Sequence, residues 1–116
     1  MARYAQLTDT QDPMLTNVAE RHLLSADSYV DGVLREKGIA VADVVLPKPL
    51  LTDLAANWAL RLAAIEGGMG DNSPLIDKAK QYEAIANTLA KLVGRDALGI
   101  AAPIGTSFGV VTLGRG

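Results

Sequence analysis

The sequence predicts an all-α fold: a compact bundle of three to four helices followed by an extended C-terminal arm. Three observations carry this. Alanine and leucine, 18 and 16 of the 116 residues, supply most of a 49% hydrophobic fraction, and both favour helix. Apolar residues recur at spacings of three and four across most of 12–94. Helix start and stop signals punctuate the same stretch: Asp12-Pro13, Lys37-Gly38, Gly67-Gly68, Ser73-Pro74 and Gly94.

Residues 1–11 read as an irregular lead. Asp12 as N-cap with Pro13 at the first helical position predicts a short helix near 13–24 and a longer one near 25–37, or the two as one continuous helix. Their stripe is Leu15, Val18, Ala19, His22, Leu23 and Ala26, then Tyr29, Val30, Val33 and Leu34. Lys37 suits the negative end of the helix dipole, and Gly38 can take the left-handed conformation that closes a helix. Ile39–Pro49 is a connector, because Pro47 and Pro49 bar a regular central strand. Its Val41, Val44, Val45 and Leu46 are expected to plug one end of the bundle.

The next helix starts at Pro49 or Leu50. Leu51, Leu54, Ala55, Trp58, Leu62 and Ile65 form its stripe, and Ala56, Ala59, Ala63 and Ala64 permit close neighbours. A helix this apolar should be central, with Trp58 as a core anchor. Gly67-Gly68 stops it, and Met69–Asn72 forms a turn. Ser73-Pro74 opens a further helix with the stripe Leu75, Ala79, Tyr82, Ile85, Ala86, Leu89, Leu92 and Val93, ended by Gly94. The expected organisation is a lead over 1–11, a helical bundle over 12–94 and an arm over 95–116.

Composition narrows the chemistry. The chain has no cysteine and a single histidine, His22, which removes thiol nucleophiles, Cys-based metal sites and multi-histidine sites within one chain. Gly67–Asp71 lacks the GK[ST] ending of a phosphate loop and no strand pattern precedes it. Asp27 and Asp31 share a helix face, which can suit Mg²⁺ or acid–base work, but beside Arg35 they read as ordinary solvated carboxylates. The expectation is therefore no catalytic residue, no cofactor and no metal. A net charge of -2, with basic residues diluted by acids, argues against a DNA-tracking face. The lead has no continuous apolar run and no stretch approaches a bilayer span, so a soluble, non-exported protein without membrane contact is expected.

The C-terminal segment is unusual. Of 11 glycines, 6 fall from Gly94 onward, and between them stand Leu98, Ile100, Ile104, Phe108, Val110, Val111 and Leu113 with very little charge. Val110–Leu113 can pair as a strand. Such a segment either folds back on its own helices or lies on a neighbouring subunit or partner. The second reading is preferred, with those seven residues as the assembly arm.

These features together resemble a known family. Tyr4-Ala5-Gln6-Leu7-Thr8-Asp9 is followed by Leu24-Ser25-Ala26-Asp27-Ser28-Tyr29-Val30-Asp31-Gly32-Val33-Leu34, similar to a helix of the type Ala-x-x-x-Ile-Asp-x-Tyr-Leu. Leu46-Pro47-x-Pro49 then leads into Leu54-Ala55-Ala56-Asn57-Trp58-Ala59-Leu60-Arg61-Leu62, where Asn57-Trp58 replaces the usual Arg-Tyr. Lys80-Gln81-Tyr82-Glu83-Ala84-Ile85-Ala86-x-x-Leu89-Ala90-x-Leu92 and Leu98-Gly99-Ile100 complete the series. In this order the chain resembles the small head–tail connector (adaptor) proteins of tailed bacteriophages.

The resemblance implies a structural virion protein with no enzymatic role, located at the head–tail junction. It implies a self-assembled ring, typically a dodecamer, between the portal protein and the stopper or tail-completion protein. Viral DNA would pass transiently and non-specifically through its channel, and 97–116 would contact the portal or a neighbour. The alternative is a small helical DNA-associated or regulatory protein, which would gather its Arg and Lys on one face.

Overall fold

The computed structural model describes residues 2–67 and 74–100. Four α-helices follow in order: α1 Glu20–Glu36, α2 Pro49–Gly67, α3 Pro74–Leu92 and α4 Arg95–Leu98. Single 3-10 turns occupy Leu7–Asp9 and Val41–Asp43, and there is no strand among the described residues. Residues 110–113, expected to be strand-capable, lie outside them.

Helix α2 packs against both α1 and α3, as its apolar character predicts. It does so largely through small residues: Ala55, Ala56, Ala59, Ala63 and Ala64 are all buried beside Leu51, Leu54 and Leu60. The main core joins Leu51, Leu54, Ala55, Ala56 and Ala59 of this helix to Leu23, Ala26, Val30 and Leu34 of α1, to Ala86 of α3 and to Val93 just beyond it. A second, smaller cluster holds Leu15, Leu60, Ala64 and Ala79, with Val18, Leu75 and Tyr82 against it.

Two helix ends close in the same way. Beyond α1, Gly38 has φ of 73°, its N–H donates to Arg35 O at 3.0 Å, and Ile39 N–H donates to Leu34 O at 2.9 Å. Beyond α4, Gly99 has φ of 71°, with Gly99 N–H on Asp96 O at 3.2 Å and Ile100 N–H on Arg95 O at 2.8 Å. Each is a Schellman closure, in which glycine takes the left-handed residue and the following isoleucine turns inward. Ile39 and Leu34 are both in the main core, and Ile100 packs against it.

The start of the chain differs from expectation. No helix forms at 13–19; α1 begins at Glu20 and runs unbroken past 24, and 10–19 consists of turns and irregular backbone. The reason is where Asp12 spends its oxygens. Oδ1 accepts Met14 N–H at 2.9 Å, while Oδ2 accepts Lys78 Nζ at 3.0 Å and the Tyr82 hydroxyl, both from α3. Leu15 enters the second cluster, and Asn17 Nδ2 donates to Ala63 O of α2 at 2.9 Å. The stretch is thus a strap across α2 and α3.

Both domain boundaries move as a result. Tyr4 and Ala5 are buried in the main core, so the lead belongs to the bundle. Leu98 is only 1% exposed in that same core, and Ile100 packs on it. Their side chains have found burial within their own chain, so Leu98 and Ile100 are not free arm residues and the bundle runs on to residue 100. Ile104, Phe108, Val110, Val111 and Leu113 lie outside the described residues.

Leu98→Ala should cost about 2–5 kcal/mol, the range for a buried leucine that leaves a cavity. Urea melts followed by circular dichroism would measure it. Truncation after Gly94 should destabilise at least as much, while truncation after Ile100 should retain the urea midpoint.

Candidate assembly surface

Helix α3 carries more apolar residues than its contact with α2 can bury. Ala79 and Ala86 are buried within it, and Val93 just beyond it. Ile85 and Leu92 each stand one residue earlier than a buried position, about 100° round the helix. They are 44% and 59% exposed. Their flank continues through Ala84, Thr88 and Leu89, which with Ile85 line a shallow hollow of about 250 Å³. The sequence stripe had placed Ile85 and Leu92 in the core. Three- and four-residue spacing does not distinguish the seam from the flank beside it.

The connector before α2 divides similarly. Val41 and Val44 pack against the main core, in keeping with a plug. Val45 is 73% exposed and Leu46 is exposed beside it, immediately before a cis Leu46-Pro47 bond. Two of the four expected plug residues therefore face outward.

Trp58 is half-buried at the edge of the main core rather than within it. Its ring lies parallel to Tyr29 of α1, with centroids 3.8 Å apart and planes 1° apart. The Arg61 guanidinium carbon is 4.5 Å from the same ring's centroid. Tyr29 fills one face so closely that Arg61 must use the other. Arg61 Nε in turn lies 3.8 Å from Glu83 Oε1 of α3. This ladder of planar groups joins α1, α2 and α3 and leaves neither face of the indole open to stack a ligand.

The carboxylates weighed as chemical candidates are engaged in tertiary structure. Asp27 accepts the backbone N–H of Arg3 at 2.9 Å and that of Tyr4 at 3.4 Å. Asp31 pairs with the Arg3 guanidinium and accepts the Tyr4 hydroxyl at 2.6 Å. They dock the N-terminus onto α1 and are not solvated beside Arg35 as the sequence suggested. His22 is buried, 2% exposed. Its Nδ1 accepts Ala19 N–H at 3.0 Å and so caps the start of α1. Its Nε2 lies 3.0 Å from Glu66 Oε2, although without the alignment of a well-formed hydrogen bond. Arg21 grips Glu66 with both guanidinium nitrogens, and the two partners together hold the Glu66 carboxyl down at about 2. Among the described residues no group of three or more His, Cys, Asp or Glu is placed to hold a metal ion. Among the same residues, no helix is long and apolar enough to cross a membrane. The glycine-rich turn at 69–71 lies outside them.

The tyrosines report on these ties. Burial, reinforced by the bond to Asp31, pushes the Tyr4 phenol far up. Burial raises Tyr29 against the opposing charge of Arg61. Burial and then the bond to Asp12 raise Tyr82 to about 12. Asp12 shifts the other way, chiefly because Tyr82 donates to it. A raised phenol stabilises the fold fully below its unfolded value near ~10, and that contribution is lost as pH rises through the folded value. A depressed carboxyl contributes above its unfolded value near ~4, and that contribution is lost as pH falls through the folded one.

Absorbance titration should therefore show less phenolate at pH ~10 in the folded protein than in the unfolded chain, because all three tyrosines are raised. Tyr82 should ionise only towards pH 12, and Tyr4 no earlier. Tyr82→Phe should move Asp12 back towards ordinary carboxylate values in a proton-resolved NMR titration. Trp58→Ala should cost about 1–3 kcal/mol in a urea melt, less than a fully buried tryptophan, because the ring sits at the edge of the core and is only partly buried.

Comparison of the chain with protein-family models, with curated proteins and with solved structures finds no match to any of the three.

Proposed function

We propose that this chain is a structural subunit that assembles with copies of itself, and that it forms the connector ring at the head–tail junction of a tailed bacteriophage. The observation that carries the assembly reading is the α3 flank. A folded helical chain leaves Ile85 and Leu92 wet beside an apolar hollow, and exposed apolar patches on small domains mark interaction sites. The exposed Val45 and Leu46 add a second such feature. The connector reading rests on the ordered resemblance of the sequence. In it the ring would meet the portal on one side and the stopper or tail-completion protein on the other, with 101–116 as the remaining arm.

The distribution of charge fits a channel wall that does not grip DNA. Arg3 pairs with Asp31, Arg21 with Glu66, Arg61 with Glu83 and Lys78 with Asp12. Arg95 donates to Gly38 O at 2.9 Å. Basic groups already paired with acids release few counterions from a phosphate backbone. This favours the connector over the alternative of a DNA-associated helical protein.

Native mass spectrometry and negative-stain images of the concentrated protein should show a closed ring of one stoichiometry. Antibodies to the chain should label tailed particles at the neck only. DNA anisotropy titrations at physiological salt should show no sub-micromolar binding. A monomer at every concentration together with absence from particles would overturn the proposal. A tight DNA complex that weakens steeply with salt would favour the alternative.

A further inference from the structure

We infer that the exposed flank of α3 is the receiving groove for segment 101–116 of a neighbouring copy. This rests on the assembly reading above and adds which two surfaces meet. Four observations support it. The groove is apolar and lined by Ala84, Ile85, Thr88 and Leu89 on one helix, and the same helix also exposes Leu92. Small Ala84 and Thr88 beside larger Ile85 and Leu89 leave a hollow of about 250 Å³, room for a side chain rather than a whole helix. The chain's own sequence supplies a matching occupant: 101–116 holds Ile104, Phe108, Val110, Val111 and Leu113, and Arg115 is its single charge. Finally, Leu98 and Ile100 are held in the main core by the α4 closure, so the segment starts from a fixed point on the subunit.

The length of the segment suits a neighbour. Pro103 disfavours the helical region for Ala102. Sixteen residues extended reach about 50 Å, ample to cross a subunit boundary. Glycines at 105 and 109 flank Phe108 and allow the backbone to approach the groove closely. Contacts that pass from the tail of one copy to the helix of the next are head-to-tail, the kind that closes into a ring.

The absence of native cysteine gives a clean test. Ile85→Cys and Phe108→Cys chains are prepared separately, mixed, and treated with a short bismaleimide. The expected product is an 85–108 cross-linked dimer at higher yield than from either variant alone. Ile85→Asp should raise the concentration for half-assembly at least about tenfold and leave the helical melt unchanged, because Ile85 is exposed. Three results overturn the inference: closure within single chains when one chain carries both Ile85→Cys and Phe108→Cys and is treated at high dilution, preferential 85–85 pairing, or rings that assemble without the 85–108 link. The last leaves the ring proposal standing. Failure of the unsubstituted chain to assemble at all removes both.

Discussion

Helix α2 must serve two partners at once, and alanine is how it does so. Ala55, Ala56, Ala59, Ala63 and Ala64 are buried within one helix that α1 and α3 both pack against. Small side chains allow close helix approach, but each buries little apolar area, and burial is worth only about 0.8 kcal/mol per CH₂. A core built on such a helix must recruit larger side chains from elsewhere. That requirement explains why Tyr4, Leu15, Ile39 and Leu98, all outside the three long helices, are buried.

The recruited segments are tied down by polar groups and by helix closures. Asp27 and Asp31 hold Arg3 and Tyr4, which places Tyr4 in the core. Asp12 takes Lys78 and Tyr82, which carries Leu15 over the second cluster. The two Schellman closures turn Ile39 and Ile100 inward. The same residues that looked like possible metal or acid–base chemistry therefore act as anchors. The flank of α3 and the outer part of the connector are among the apolar surfaces the anchors leave exposed.

The helices were legible in the sequence because their signals are local. Gly38 after Lys37, Gly67 and Ser73-Pro74 gave the ends of α1 and α2 and the start of α3 to within a residue or two. The centrality of α2 followed from its apolar character, with Asp53, Arg61 and Glu66 as its only charges. The strap at 10–19 was not legible, since Asp12-Pro13 satisfies a helix start equally well and its true partners, Lys78 and Tyr82, lie more than sixty residues away. Leu98 was missed for a related reason: a glycine-rich neighbourhood suggested a free arm, while its burial depends on a core assembled from distant parts of the chain. Trp58 was placed on the correct helix but too deep, because periodicity gives a direction and not a depth. The exposed flank of α3 was hidden within a stripe that ran, at Ile85 and Leu92, one residue wider than the seam.

If the alanine face of α2 is what the fold depends on, its backbone should open last. Native-state hydrogen exchange on the intact chain tests this most directly. The amides of Ala55–Ala64 should exchange only through global unfolding, with a common free energy equal to that from urea melts. The outer turns of α1 and α3 should open at lower free energies. Slower exchange in α1 or α3 than in α2, or sub-global opening of α2 while its neighbours stay protected, would contradict the account.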